Sequence, residues 1–192
     1  MRIYTRKGDD GTTGLLFGGR VRKDSPATTA CGDVDEAQAA LGVARAGVPR
    51  GSEVDALLVG VERDLWVLMA EVASAPEHRD RLVAGQTMVT EEMVTALEPV
   101  IDDLTSRFDP PTEFVLPGQS TTAAALDLAR TIVRRAERSA LAVAVDGAHV
   151  VPYLNRLSDL LWTMARWQEG RSLPSRSEGA ARAPAARPET QE

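Results

Sequence analysis

Five segments of this chain carry apolar residues at alternating spacings of three and four, the repeat that keeps one face of a helix turned towards a partner. A strand face repeats every second residue instead, so the pattern restricts the fold to packed helices. In the first segment Val34, Ala37, Leu41, Ala44 and Val48 form the seam, and Gly47 followed by Pro49 ends it. The second, from about Glu53 to Ala73, turns Val54, Leu58, Val61, Leu65, Leu68 and Val72 inward. Thr90 is placed to cap the third, where Glu91 and Glu92 suit the positive helix N-terminus and Met93, Leu97, Val100 and Leu104 face the core. Pro99 predicts a kink there. The fourth, capped by Ser120 or Thr121, runs along Leu126, Ala129, Val133, Ala136, Ala140 and Val143. The fifth, from about Val151 to Trp167, buries Leu154, Leu157, Leu161 and Met164.

Between these segments the chain is punctuated. Residues 74–86 are polar and irregular and read as a mobile connection, while Asp146-Gly147 makes the turn before the last helix. From Gly170 onward periodicity is lost and Pro, Ala, Arg, Ser and Glu dominate, which predicts a disordered tail over residues 170–192. The expected architecture is all-α: an up-and-down, ferritin-like five-helix bundle over residues 1–169, with a glycine-rich N-terminal loop. At 192 residues one domain is expected, and a content of 43% hydrophobic but only 4% aromatic residues favours helices over a sheet sandwich.

Charge and cysteine usage exclude whole classes of function. A formal net charge of −6 argues against general nucleic-acid binding, which needs a surplus of cations to neutralise phosphates. The single Cys31 excludes an intramolecular disulfide and a CxxC zinc site. No signal peptide or long apolar span appears, so no membrane partner is expected and a cytoplasmic location is the simple inference. His78 and His149 lack partner ligands at metal-binding spacing, so no metal held by the protein alone is expected.

Two separated stretches suit a polyphosphate. The first is the loop Tyr4-Thr5-Arg6-Lys7-Gly8-Asp9-Asp10-Gly11-Thr12-Thr13-Gly14. Its glycines are expected to take positive φ and let amides approach an anion, its threonines can donate, and Lys7 and Lys23 add charge. No Gly-Lys-Ser or Gly-Lys-Thr follows, so it is not a Walker A loop. A plain glycine-rich hairpin with solvated charges fits the same composition.

The second stretch is an arginine ladder, Arg130, Arg134 and Arg138, whose spacing of four stacks them on one helical face beside Arg135. Glu137 can orient one of them. Equally, these arginines can form salt bridges to Asp35, Glu36, Asp127 or Asp159 on neighbouring helices. Asn155 can read a sugar hydroxyl or a phosphate through its amide, or make a helix-to-helix hydrogen bond. Phe114 sits in the non-helical run Phe114-Val115-Leu116-Pro117-Gly118, where it can project into a cleft or plug the end of the bundle.

Taken in order, seven motifs resemble one family. They are the loop Tyr4 to Thr13 with Phe17-Gly18-Gly19; Lys23-Asp24-Ser25; Gly32-Asp33-Val34-Asp35-Glu36; Phe114 to Gly118; Ala129-Arg130; Arg134-Arg135-Ala136-Glu137-Arg138; and Tyr153-Leu154-Asn155-Arg156-Leu157-Ser158-Asp159. Together they resemble the PduO-type ATP:cob(I)alamin adenosyltransferases from residue 3 to about 167. The chain departs from that pattern at Lys7, Cys31 and Gln119.

The resemblance implies a homotrimer of helical bundles with active sites between subunits. It implies transfer of the 5′-deoxyadenosyl group of ATP to the cobalt of cob(I)alamin, with release of triphosphate and with Mg²⁺ bridging phosphates. Thr5, Arg6, Lys7, Gly8, Thr13, Gly14, Lys23, Arg134, Arg135, Glu137, Arg138 and Asn155 fall at ATP-binding positions. Arg130 falls at the position of the catalytic arginine, paired with Asp35 across the interface, and Phe114 at the aromatic that displaces the corrin's lower axial base. Product hand-off to an adenosylcobalamin-dependent mutase or dehydratase is compatible. A carrier that binds ATP and corrinoid without chemistry, and a purely structural bundle, are the competing expectations.

Overall fold

In the computed structural model, which describes residues 3–176, Ser25 starts the first helix by accepting a hydrogen bond from the Thr28 amide, with Pro26 just inside the helix. That helix, α1 (Pro26–Ala46), begins well before the apolar seam does, and Gly47 ends it as expected. α2 (Glu53–Val72) is capped by Ser52 and buries every residue of its predicted seam. α5 (Thr121–Ala140), capped by Ser120, packs against both α1 and α6 (Val150–Glu169), and α1 packs in turn against α2. The core lies among these four, with Leu41, Leu58, Leu65, Leu126, Leu157 and Leu161 all fully buried. Val48 and Val143, read as seam residues, fall beyond their helix ends and are only partly buried.

The third segment departs from expectation. In place of one kinked helix there are two, α3 (Glu91–Thr95) and α4 (Leu97–Thr105), so the described residues form six α-helices rather than five. Proline lacks an N–H and its ring crowds the carbonyl four residues earlier. Pro99 therefore acts at Thr95, where α3 ends, and not at its own position. Thr90 caps α3 as predicted, but Val94 rather than Met93 is the buried residue of that turn.

Two short antiparallel pairs complete the fold: β1 (Thr12–Gly14) with β2 (Arg20–Arg22), and β3 (Val115–Leu116) with β4 (Leu173–Pro174). The second corrects the tail boundary. Residues 170–176 do not leave the bundle, because β4 pairs with β3 and the Ser175 amide donates to the Phe114 carbonyl at 2.7 Å. The remainder of the predicted tail, residues 177–192, lies outside the described residues.

Nor is the 74–86 connection loose. It contains a 3₁₀ turn at Pro76–Arg81, held by Glu71 of α2, which is 2% exposed. Glu71 accepts from Arg79 Nη2 at 2.6 Å and from the Val89 amide at 2.7 Å. Replacing Glu71 by alanine orphans that buried amide, while the partly exposed Arg79 turns to solvent. The expected loss is roughly 1–3 kcal/mol, read as a lower denaturant midpoint with an unchanged slope.

A second polar contact ties α6 to α2: the buried Tyr153 hydroxyl donates to Asp64 Oδ2 at 2.8 Å. Burial pushes the Asp64 carboxyl above its ordinary range, with the Tyr153 hydrogen bond opposing part of that rise. Its native state then binds protons more tightly than its unfolded state, so the stability it contributes falls as pH rises through the ordinary carboxylate range of about 4 and on to the raised native value. Asp64→Asn keeps an acceptor for Tyr153 and removes that slope. Melting temperatures across acid to neutral pH should show the variant at least as stable as the parent near neutrality.

Candidate active site

The glycine-threonine loop is built by β1 and β2. The Leu16 amide donates to the Ala73 carbonyl at 2.8 Å, which fastens the hairpin to the end of α2. On the other side Arg81 Nη1 donates to the Phe17 carbonyl at 3.0 Å and stacks over the Phe17 ring. Phe17 itself stands at φ 67°, a left-handed conformation that a large side chain occupies only when its surroundings hold it.

Within the loop the glycines divide their tasks differently from expectation. Of Gly8, Gly11 and Gly14 only Gly11 has positive φ, at 79°, while Arg6 shares that region at φ 61°. Gly8 is needed for space instead: a Cβ there would lie 3.0 Å from Lys23 Nζ and 3.2 Å from the Thr12 carbonyl. The ammonium of Lys23 thus closes over Gly8 and brings a positive charge onto the loop. Thr12 is not a free donor, since its hydroxyl donates to Asp10 Oδ1 at 2.8 Å and accepts from Arg20 Nε at 3.0 Å. Thr5 Oγ1 accepts the Lys7 amide at 3.4 Å, and Thr13 and Gly14 lie along β1.

Thr13 and Gly14 share a cleft with Asp35 of α1 and with Trp66 and Met69 of α2. Cys31 lines the same cleft, and burial together with the nearby Asp35 charge pushes its thiol up. The structure therefore brings the loop and Asp35 to one side of the protomer. Asp35 forms no ion pair among the described residues.

On α5 the arginines separate into two kinds. Arg130 donates from Nε to Asp127 Oδ1 at 3.1 Å, and Arg135 reaches Asp33 at 3.4 Å and also Glu36 of α1. The expected bridge to a neighbouring helix forms at Arg135, whereas Arg130 pairs with Asp127 three residues earlier on α5 itself. Arg134 and Arg138 are exposed and make no ion pair among the described residues, and Arg138 Nη1 donates to the Arg134 carbonyl at 2.8 Å. Glu137 orients Asn155 rather than an arginine, accepting from Asn155 Nδ2 at 3.0 Å across the α5–α6 seam.

No hydrogen bond or ion pair among the described residues joins the loop of residues 4–24 to α5. The hairpin residues Leu15, Gly19, Arg20 and Val21 and the end of α5 at Ala140 nevertheless line one cleft, with no polar contact across it from the α5 arginines among the described residues. Phe114 is open to solvent. It is 88% exposed, although its backbone is fixed by the Ser175 amide. Burying a phenylalanine is worth roughly 1.5–3 kcal/mol, so a ligand or neighbour that covers this ring gains what the isolated protomer forgoes. Among the described residues no group of three His, Cys, Asp or Glu side chains is arranged to hold a metal ion, and no helix is long and apolar enough to cross a membrane.

Three residues of this site were not singled out as functional by spacing alone. Asp127 and Arg166 support Arg130 from below, and Arg81 pins the loop. Asp127 was visible as one of several possible salt-bridge partners, but Arg166 reads as an ordinary basic residue near a helix C-terminus.

Comparisons with known proteins place this geometry. Residues 3–168 match the sequence profile of the family described as cobalamin adenosyltransferase. The chain is 42% identical over 173 residues to a corrinoid adenosyltransferase of Citrobacter freundii, covering 88% of this chain and 95% of that protein. It is 40% identical over 174 residues to the corrinoid adenosyltransferase PduO of the same organism, of which it spans 50% while 88% of this chain is covered. Among solved structures, a variant PduO-type ATP:corrinoid adenosyltransferase from Lactobacillus reuteri complexed with cobalamin and ATP superposes with a TM-score of 0.81 at 27% identity. That match covers 92% of this chain and 100% of the other.

Proposed function

The chain belongs to the cobalamin adenosyltransferase family, and on that premise we propose that it transfers the 5′-deoxyadenosyl group of ATP to the cobalt of cob(I)alamin, forming adenosylcobalamin. The observation that carries the reading is the match of nearly the whole chain to a fold complexed with both cobalamin and ATP. In the reaction, the cobalt electron pair attacks the ribose 5′-carbon and becomes the Co–C bond, while the C–O bond to phosphate breaks and triphosphate leaves with the electron pair of that broken bond. The nucleophile belongs to the corrinoid, so no serine, cysteine or histidine is needed to attack.

What remains for the protein is positioning and charge. Arg134 and Arg138, without an ion pair among the described residues, Lys23 over Gly8, and Lys7 of the loop are suited to hold the triphosphate, with Thr5, Arg6, Gly8, Thr13 and Gly14 supplying close backbone and hydroxyl donors. Arg135 reaches the phosphates by exchanging Asp33 and Glu36 for them. The Glu137–Asn155 pair is placed to read the nucleoside. Mg²⁺ would ride on the phosphates rather than on a protein cage, as its chemistry with nucleotides favours.

Because no hydrogen bond or ion pair among the described residues joins the loop to the α5 arginines, and Asp35 has no ion-pair partner among them, an adjacent copy is the proposed means of completing the site. A homotrimer supplies it, with Arg130 of one subunit meeting Asp35 of the partner subunit. Exposed Val43, Trp66 and Leu128, at 62%, 64% and 56%, give α1, α2 and α5 apolar surface for such contacts. The proposed setting is cytoplasmic, and the product is suited to hand-off to an adenosylcobalamin-dependent mutase or dehydratase.

Mixing the protein with ATP and chemically reduced cobalamin and following the cobalt spectrum through one turnover tests the reading. Conversion to the alkylcobalt spectrum is the expected result. Saturable binding of both ligands with no spectral conversion would instead identify a carrier.

A further inference from the structure

A line of charge runs inward from Arg130. Asp127 Oδ1 accepts from Arg130 Nε at 3.1 Å, and Asp127 Oδ2 accepts from Arg166 Nη2. Asp127 is 7% exposed and Arg166 only 2%. Further in, Arg166 Nε lies 3.1 Å from Glu169 Oε1, within ion-pair distance but without hydrogen-bond geometry. Glu169 in turn accepts from the Ser172 hydroxyl, one residue before β4, and β4 pairs with the strand that follows Phe114. One chain of contacts therefore links the arginine on α5 to the segment that presents the aromatic.

Stability alone gives no reason for this arrangement. Buried ion pairs carry a desolvation cost that often matches or exceeds their attraction, and apolar replacements of similar size are commonly neutral or stabilising. The neighbours of Asp127 on its own helix, Ala123 and Leu126, are fully buried and apolar. What distinguishes the pair is its outer end. Asp127 gives one oxygen to Arg166 and turns the other to Arg130.

The atom it holds matters. A guanidinium is planar, so fixing Nε fixes the plane and leaves both Nη groups free to form a fork. Among the described residues neither Nη of Arg130 donates a hydrogen bond. Arg130 is thus held along its inner edge and open along its outer one, where Asp35 of the partner subunit or a departing triphosphate oxygen can accept.

We propose that Asp127, anchored by Arg166, is a positioning residue that sets the plane of the Arg130 guanidinium for the adenosyl-transfer step. The role rests on the function proposed above. Asp127 touches no substrate in this account and acts only through Arg130. Catalysis by preorganised charge is sensitive to small displacements, so loss of the anchor should appear in the rate and not in substrate affinity.

Two variants test it. In Asp127→Asn one oxygen remains, and the deeper Arg166 takes it, turning the amide –NH₂ towards Arg130. In the triple variant Asp127→Leu, Arg166→Leu and Glu169→Gln the buried charges are removed together, so that no carboxylate is left without its ion-pair partner. Each is compared with the parent and with Arg130→Ala in steady-state transfer from preformed cob(I)alamin, with rates normalised to the folded fraction by circular dichroism. The expected result is kcat lowered ~10–100-fold with KM for ATP within ~3-fold, and an effect of less than ~2-fold once Arg130 is already alanine. Unchanged kcat in both folded variants, or a loss that multiplies fully on top of Arg130→Ala, would overturn the positioning role while leaving the function intact. Absence of product from the parent chain would overturn the function and this role with it.

Discussion

Arg130→Ala should lower the rate of adenosyl transfer by roughly 10²–10³-fold, the loss typical of removing one preorganised donor from a developing anion. ATP affinity should change far less, by no more than ~10-fold, because Arg134 and Arg138 remain to hold the ground-state triphosphate. The asymmetry has a structural source. Arg134 and Arg138 are exposed with no ion pair among the described residues, as befits groups that bind a ligand already charged. Arg130 is half-shielded and restrained at Nε by Asp127, as befits a group that must meet charge appearing only during bond cleavage. Calorimetric titration with ATP beside single-turnover rates separates the two. Parallel losses in both would make Arg130 an ordinary binding residue.

Phe114→Ala should leave ATP binding nearly intact and reduce turnover that starts from Co(II) on the order of 100-fold, about 2.7 kcal/mol in the barrier. A five-coordinate Co(II) corrinoid is hard to reduce because its lower ligand donates electron density. Removing that ligand leaves four-coordinate cobalt, which accepts an electron more readily. An apolar ring packed against the corrin face excludes both water and the departing base. Phe114 meets the geometric requirement, being 88% exposed on a segment whose backbone is locked to β4. Starting from preformed cob(I)alamin, which has no lower ligand to displace, the same variant should lose much less. Equal losses from both cobalt states would assign Phe114 to corrin binding in general.

The principal helices were legible because each buries one face for about twenty residues, long enough for the three-four repeat to repeat several times. Ser25, Ser52, Thr90 and Ser120 cap their helices by side-chain acceptance from the amide three residues on, and those at Thr90 and Ser120 were readable beforehand. What stayed hidden depends on contacts distant in sequence or on steric effects displaced from their cause. Pro99 breaks the helix at the turn before it. β3 and β4 are two residues each, with no room for an alternating pattern, and Pro174 reads as a breaker although an edge strand tolerates it. Glu71 sits on the buried side of α2 beside Val72, where a carboxylate has no signature until its partners, the Val89 amide and Arg79, fold back on it.

The site was legible in its residue types more than in its pairings. Spacing put Arg130, Arg134 and Arg138 on one face, but it did not show that Asp127 and the buried Arg166 restrain the first while the others make no ion pair among the described residues. Glu137 was expected to serve an arginine and serves Asn155 instead, because α6 places that amide 3.0 Å away. Glycines suggested positive φ, which holds at Gly11, whereas Gly8 is crowded by the Thr12 carbonyl and Lys23, and Arg6 takes a positive φ as well. Close approach and strain are properties of the folded loop, not of its composition.

Identifying the products of a single turnover with reduced cobalamin tests the central claim most directly. Attack at the ribose 5′-carbon predicts one inorganic triphosphate for each Co–C bond formed, and no release from ATP when the corrinoid is withheld. Pyrophosphate or orthophosphate as the released anion, or triphosphate appearing without corrinoid, would contradict it.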